Sequence, residues 1–215
     1  MAETVAIKLL IVDDHAVVRE GIKHIIGTTN DISFAGEATT GFEAIRLSRQ
    51  LDFNVMLLDI GLPDKNGIEV LKQIKSEKPA SQILIFSEHR EDQYAIRSLK
   101  AGASGYMSKH YQPEQIIDAI RQAASGLKYV SPQMAQALAN NLNQEHEDQL
   151  HKTLSDREFQ TMTMIASGKS VSDIARDLSL SVKTISEYRA RILLKMKLRH
   201  NAELTHYAIK NQLVD

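Results

Sequence analysis

Asp13 and Asp14 close one short apolar run of the chain, Asp59 closes another, Ser87 ends a third, and Lys109 follows a fourth. If those runs are neighbouring parallel strands, their carboxyl ends open on one crevice, the place where open α/β sheets bind their ligands. Three carboxylates, a hydroxyl and an ammonium would then face each other there. An all-oxygen site with several carboxylates suits Mg²⁺, which binds through one or two of them and keeps waters or phosphate oxygens for the rest. A carboxylate nucleophile in such a site can accept a phosphoryl group as an acyl phosphate. Any single Asp at a strand end is more often a turn or cap residue. The reading rests on matching groups at the ends of four different strands.

The elements that must position these groups follow from the apolar pattern. Residues 1–128 alternate short apolar runs with helical periodicity, the rhythm of a parallel sheet covered on both faces. The strands are expected at Lys8–Val12, Ile32–Ala35, Val55–Leu58, Ile83–Phe86 and Gly105–Ser108, with helices near 16–27, 41–51, 66–77, 91–102 and 113–125. The fold class is therefore α/β, a doubly wound parallel five-stranded sheet of order 2-1-3-4-5, in which strands 1 and 3 are neighbours.

Beyond that domain, Ser131–Leu142 carries Met134, Leu138 and Leu142 at helical spacing, so a short amphipathic helix is expected inside a linker spanning 129–151. Asn140–Gln149 has almost nothing to bury and reads as a tether. Residues 152–215 are helical throughout. Ser155 and Glu158 form a capping-box pattern ahead of Phe159, Met162 and Ile165–Ala166, and Gly168 stops that helix. A short helix capped by Ser170, the turn Ser179-Leu180-Ser181 and a longer helix from Val182 make a helix-turn-helix, followed by a last helix for which Asn201 is the expected cap.

The chain of 215 residues has 43% hydrophobic and 25% charged residues, values of a soluble globular protein. It has no Cys, which excludes disulfides, thiolate metal sites and cysteine catalysis. Val5–Val12 is broken by Lys8 and too short to span a bilayer, so no membrane association and a cytoplasmic location are expected. The net charge of −1 divides into +4 for residues 152–215 (11 Lys and Arg against 7 Asp and Glu) and −5 for the remainder (15 against 20). A basic tail on an acidic body suggests that the tail meets a polyanion. Gly168-Lys169-Ser170 lacks the earlier Gly of a phosphate-binding loop, and after His146-Glu147 the second His of a zinc-protease helix is misplaced, so neither is assigned.

Residues 1–128 resemble the CheY-like receiver domain of two-component response regulators. The resemblance is carried by Asp13-Asp14, Leu57-Leu58-Asp59-Ile60-Gly61-Leu62-Pro63 with Gly67, Ser87, Ala101-Gly102-Ala103 and Gly105-Tyr106-Met107-Ser108-Lys109. Residues 152–215 resemble the LuxR-type helix-turn-helix of the NarL/FixJ family, through Leu154-Ser155-Asp156-Arg157-Glu158, Ile174-Ala175, Leu178-Ser179-Leu180-Ser181, Lys183-Thr184-Ile185 and Lys195-Met196. The resemblance implies that Asp59 takes a phosphoryl group from the phosphohistidine of a sensor histidine kinase. It also implies that Asp13, Asp14, Asp59 and the Gly61 carbonyl hold Mg²⁺, that Lys109 and Ser87 grip the phosphoryl oxygens, and that Tyr106 is a switch aromatic that turns inward as Ser87 moves. Two departures stand out. His110 follows Lys109 where many receivers have Pro, so a cis bond is not expected there. Tyr188 stands where many family members have His, keeping an aromatic body and one polar atom.

In the helix from Val182, the residues Ile185, Tyr188, Ile192 and Met196 share one face and are expected in the core. The opposite face carries Lys183, Ser186, Glu187, Ala190 and Arg191. Lys183 and Thr184 near the helix N-terminus suit phosphates, while Ser186, Glu187 and Ala190 are placed for base edges. In the last helix Leu204, Tyr207 and Ala208 form a stripe expected to serve a dimer contact as well as the core. The expected function is a phosphorylation-controlled transcriptional regulator that dimerises and binds double-stranded promoter DNA, with RNA polymerase as a further partner. A Mg²⁺-dependent phosphate-transfer enzyme and a signalling adaptor that never binds DNA are the alternatives, the first because carboxylates plus Mg²⁺ serve either purpose.

Overall fold

Every residue of strand β3 (Val55–Leu58) is buried, which is what a run of four apolar residues requires in the middle of a sheet covered on both faces. The computed structural model describes residues 6–89, 91–143 and 150–214. Around β3 lie β1 (Ile7–Val12), β2 (Ile32–Ala38), β4 (Gln82–Ser87) and β5 (Gly105–Ser108), all parallel, in the order β2-β1-β3-β4-β5. β2 runs three residues further than expected, to Ala38, because its register shifts between Leu9 and Leu10 and pairing then continues to the end of β1. Strands β1 and β3 end side by side, with Val12 opposite Leu58.

Alternate residues of the strands feed two cores. Leu9, Ile11, Val55, Leu57, Leu84, Phe86 and Met107 pack with Ile22 and Ile26 of α1 (Ala16–Gly27) and Ile116 and Ile120 of α5 (Pro113–Ala124). On the other side α2 (Gly41–Gln50) packs on α3 (Gly67–Glu77). Side chains open these helices: the Thr40 hydroxyl accepts from the Glu43 amide at 3.2 Å and Asn66 Oδ1 from the Ile68 amide at 2.9 Å. Helix α4 (Glu91–Lys100) contacts β5 and the amphipathic helix α6 (Pro132–Asn143).

The first compact unit therefore runs past the boundary expected at 128, to Asn143. Tyr129 pairs with Gly105 at the β5 edge, its amide donating to the Ser104 carbonyl at 2.8 Å, and Met134 of α6 is fully buried. Of the tether expected at Asn140–Gln149, residues 140–143 are helical and 144–149 lie outside the described residues.

The second unit holds a 3₁₀ turn (Leu150–Thr153) and helices α7 (Asp156–Ala166), α8 (Val171–Asp177), α9 (Val182–Lys195) and α10 (Asn201–Lys210). The capping box at α7 forms: Ser155 N donates to Glu158 Oε2 at 2.8 Å and Glu158 N to the Ser155 hydroxyl at 3.3 Å. Gly168 ends that helix at φ +87°, the left-handed conformation that glycine reaches without strain. Ser170 and Ser181 cap α8 and α9. At α10 the cap is His200, whose Nδ1 accepts from the Glu203 amide at 3.3 Å. The expected cap Asn201 is the first helical residue, and its Oδ1 accepts instead from Arg189 Nε at 2.6 Å, tying α10 to α9.

Candidate functional site

Asp59 follows the last residue of β3, and its backbone amide donates to the Val12 carbonyl at 2.9 Å, so the ends of β1 and β3 are fixed to one another. This brings Asp13, Asp14 and Asp59 together with His15: one ligand atom from each lies within 4.8 Å of the others. Lys109 reaches across from the end of β5, with its Nζ 2.7 Å from Asp13 Oδ2 and 2.9 Å from Asp59 Oδ2. All three of these side chains are at most 6% exposed, so the ammonium is the cation that neutralises a buried carboxylate pair. Asp59 Oδ1 accepts from the Ile60 amide at 2.7 Å. A methyl group on Gly61 would stand 3.4 Å from Asp59 Oδ2, which places the Gly61 backbone beside the same carboxylate.

The electrostatics follow from burial and charge. Burial, and after it the Asp59 carboxylate, pushes Asp13 above its ordinary value, against the opposing pull of Lys109. For Lys109 burial works toward a lower value, but Asp59 and Asp13 together outweigh it and hold the ammonium above its ordinary range. Asp14 is more open, with its side chain 33% exposed. His15 was not singled out from the sequence, although it directly follows the Asp pair. Its amide donates to Asp13 Oδ1 at 2.9 Å and its Nδ1 lies 2.9 Å from Asp14 Oδ1, so it links both carboxylates while standing at the start of α1.

Ser87 is buried at the end of β4, and its hydroxyl accepts from the His89 amide at 3.4 Å. Tyr106 of β5 is fully buried, and its hydroxyl donates to the His89 carbonyl at 2.6 Å. The inward position expected for Tyr106 after a rearrangement is thus already occupied here. Burial, the neighbouring Tyr94 and the Asp59 carboxylate hold that phenol well above its ordinary value, so it is a hydrogen-bond donor at any physiological pH. The Lys109–His110 bond is trans.

In the second unit Ile185 and Ile192 of α9 and its C-cap Met196 are buried as expected, but Tyr188 is only half-buried, with the Arg191 guanidinium over its ring, 5.3 Å from the centroid. Lys183, Ser186, Glu187, Ala190 and Arg191 are all exposed, and Thr184 is intermediate. Glu187 and Arg191 pair along the helix at 3.5 Å. In α10, Leu204 and Ala208 are buried, at 1% and 0% exposure, and the helix packs on α7. Both are core residues of this unit, one of the two roles expected for that stripe. Tyr207 is half-buried, its hydroxyl 2.9 Å from His151 Nδ1. The exposed stripe of α10 is Ala202, His206 and Ile209.

The Lys195 ammonium lies 2.6 Å from Glu158 Oε2 and joins the end of α9 to the capping box of α7. Burial works against ionisation of Glu158, but Lys195 and Ser155 outweigh it and hold the carboxyl below its ordinary 4.5. A group whose folded value is depressed stabilises the fold fully above the unfolded value and ceases to do so as pH falls through the folded one. Thermal unfolding of the second unit, followed by circular dichroism from pH 7 down to pH 3, should therefore show Tm falling below about pH 4.5. The variant Glu158→Gln should start lower at pH 7 and lose less over that range; equal slopes for both proteins would contradict the assignment.

Comparison with known proteins agrees with the two-unit division. Residues 9–121 match the model of the response regulator receiver domain, and residues 152–208 match that of the bacterial regulatory proteins of the luxR family. The response regulator UvrY of Escherichia coli K12 is 35% identical over 208 residues, covering 96% of this chain and 95% of its own. The response regulator GacA of Pseudomonas aeruginosa is 35% identical over 210 residues, covering 97% and 98%. The solved RcsB–DNA complex aligns with a TM-score of 0.58 and 25% identity over 94% of this chain and 97% of that one. A receiver that gathers its acids where β1 and β3 end, carried on one chain with a capped helix-turn-helix, makes this protein a member of the two-component response regulators with a LuxR-type DNA-binding domain, that is, a phosphorylation-controlled transcriptional regulator.

Proposed function

We propose that Asp59 is the phosphoacceptor, with Asp13, Asp14, Asp59 and the Gly61 carbonyl holding Mg²⁺, and that phosphorylation promotes homodimer formation and binding to promoter DNA. One observation carries the first part: Asp59 stands alone at the end of β3, across from the Asp13–Asp14 pair that follows β1, and it contacts Lys109 at 2.9 Å while lying within 4.8 Å of both acids. The donor set fits a hard divalent cation, being all oxygen if the imidazole of His15 keeps its bonds to the acids. Bound Mg²⁺ offsets negative charge on the phosphoryl oxygens. One Asp59 oxygen forms the new P–O bond as the P–N bond to the phosphohistidine of the sensor kinase breaks. Lys109 shifts from the carboxylates to a phosphoryl oxygen, and the Ser87 hydroxyl donates to another. A switch is favoured over phosphate-ester hydrolysis because the receiver is carried on one chain with a basic LuxR-type helix-turn-helix.

For DNA, the exposed face of α9 supports phosphate contacts by Lys183, Thr184 and Arg191 and base contacts by Ser186, Glu187 and Ala190. The dimer contact is assigned to the exposed α10 stripe Ala202, His206 and Ile209, beside Tyr207. RNA polymerase is the further partner of a bound regulator, and the cytoplasm is its place of work; among the described residues no helix is long and apolar enough to cross a membrane. Light scattering and DNA titration with and without acetyl phosphate and Mg²⁺ test the whole reading. A doubled mass and tighter binding are expected, and identical mass and affinity in both conditions would refute it.

Within α9 the two charges should separate. Lys183→Ala should weaken binding to every sequence alike and lower the salt slope by about one unit. Glu187→Ala should relax preference at one base pair by roughly 1–3 kcal/mol. Because Arg191 is then released from its partner at 3.5 Å, nonspecific affinity should rise. A selection from random DNA that returns the same motif for Glu187→Ala would remove Glu187 from the interface.

A further inference from the structure

Both groups assigned to the phosphoryl oxygens are followed closely by residues that meet at the start of α6. Glu91 comes four residues after Ser87, and Tyr111 two residues after Lys109. Glu91 Oε2 accepts from the Tyr111 hydroxyl at 3.0 Å, and Glu91 Oε1 accepts from the Ser131 hydroxyl. Ser131 is buried, and its oxygen also accepts from the Met134 amide at 3.0 Å, closing the first turn of α6. The approach to α6 is fixed as well. Tyr129 packs edge-on against Tyr111 with ring centroids 6.5 Å apart, and Lys128 Nζ donates to the Ala103 carbonyl at 2.6 Å. One carboxylate thus joins the loop after Ser87 and the loop after Lys109 to the cap of the helix that leads toward the second unit.

Beyond Ser87, His89 is held by its amide on the Ser87 hydroxyl, by its carbonyl on Tyr106 and by its ring stacked on Tyr94 with centroids 4.7 Å apart. A Ser87 that turns to a phosphoryl oxygen gives up the long 3.4 Å contact with His89, and a Lys109 that leaves Asp13 draws on the segment carrying Tyr111. Glu91 accepts hydrogen bonds from groups on two separate segments. Displacing either segment breaks the bridge, since a charged acceptor holds its donors only within a narrow distance.

We propose that Glu91, Tyr111 and Ser131 form a clamp that holds the linker helix α6 on the unphosphorylated receiver and opens when Asp59 is phosphorylated. The proposal rests on Asp59 being the phosphoacceptor. Coupling of this kind is reciprocal: if phosphorylation loosens the clamp, loosening the clamp must favour phosphorylation by the same factor. That separates a switch from a plain staple, which would stabilise α6 and leave Asp59 indifferent.

The test uses the full-length chain, with hydrogen exchange of residues 131–143 read by mass spectrometry, and beryllofluoride with Mg²⁺ as the phosphoryl stand-in. Acetyl phosphate supplies the phosphoryl group where the label on Asp59 is measured. In the wild type, beryllofluoride should speed exchange of α6 about tenfold, the effect of losing one charge-assisted hydrogen bond. Ser131→Ala should show fast exchange without it and should be half-saturated by beryllofluoride at about one-tenth of the wild-type concentration. Tyr111→Phe, which leaves the helix cap intact, should shift beryllofluoride binding in the same direction by a smaller factor. If Asp59 is labelled while α6 exchange stays constant, the clamp is not a switch. Saturation of both variants by beryllofluoride at the wild-type concentration would reduce it to a staple. If acetyl phosphate leaves Asp59 unlabelled, the phosphoacceptor assignment itself fails, and the clamp as a switch falls with it.

Discussion

Replacing Asp59 by Asn should abolish labelling by acetyl phosphate and Mg²⁺, and borohydride trapping followed by peptide mass spectrometry should find the wild-type label on Asp59 alone. The change keeps the size and planarity of the side chain and removes the nucleophilic oxygen charge. Asn can also still accept the Ile60 amide, which now donates to Asp59 Oδ1 at 2.7 Å, so the strand end should keep its conformation. No neighbour can take over. Asp13 is nearly fully buried, its Oδ1 is occupied by the His15 amide and its Oδ2 lies 2.7 Å from Lys109. Asp14 is more exposed and forms no pair with Lys109 among the described residues. A secondary outcome follows from the charges: Asp13 is held up by burial first and by Asp59 next, so losing the second charge lowers its pKa. Labelling of Asp59→Asn at the wild-type yield would sink the assignment.

Gly67→Ala should cost the receiver at least about 3 kcal/mol, because the substitution forces a backbone rather than a side chain to move. A methyl group on Gly67 would lie 2.0 Å from the Asp59 carbonyl oxygen and 2.8 Å from both the Asp59 carbonyl carbon and Ile60 Cα. That contact exists because the Gly67 amide donates to the Ile60 carbonyl at 3.0 Å as α3 begins, drawing the helix onto the end of β3. Relief requires lifting α3 or displacing Asp59 itself. Differential scanning calorimetry should show the receiver transition lowered by roughly 10 °C or more, with the transition of the second unit unchanged, and the surviving folded protein should label poorly on Asp59. A receiver transition within about 2 °C of wild type would mean that the approach at Gly67 is not as close as described.

The sheet, its order and the meeting of Asp13, Asp14, Asp59 and Lys109 were legible in the sequence. Continuous apolar runs of four to six residues separated by helical periods admit few arrangements other than a doubly wound parallel sheet, and residues at the ends of such strands must share a crevice. Local signals were equally direct at α7, where Ser155 and Glu158 satisfy each other across three residues and Gly168 supplies a conformation other residues avoid. These features depend on neighbours in the chain or on strand order alone.

Tertiary structure decided the rest. The periodicity of α10 shows that Leu204 and Ala208 are apolar together, but only the packing on α7 shows that they are already covered. Likewise, Met134 marks one face of α6 as apolar without revealing that α4 lies opposite, so a helix expected within a linker belongs to the receiver unit. His200 rather than Asn201 caps α10 because the choice depends on the backbone angles of two adjacent residues and on Arg189 engaging Asn201, twelve residues away. The bridge from Glu91 to Tyr111 and Ser131 spans 20 and 40 residues, distances at which spacing carries no signal. An apolar stripe specifies that a face must be buried, and a polar side chain that it needs a partner; which surface and which partner are settled only when all the elements compete for the same contacts.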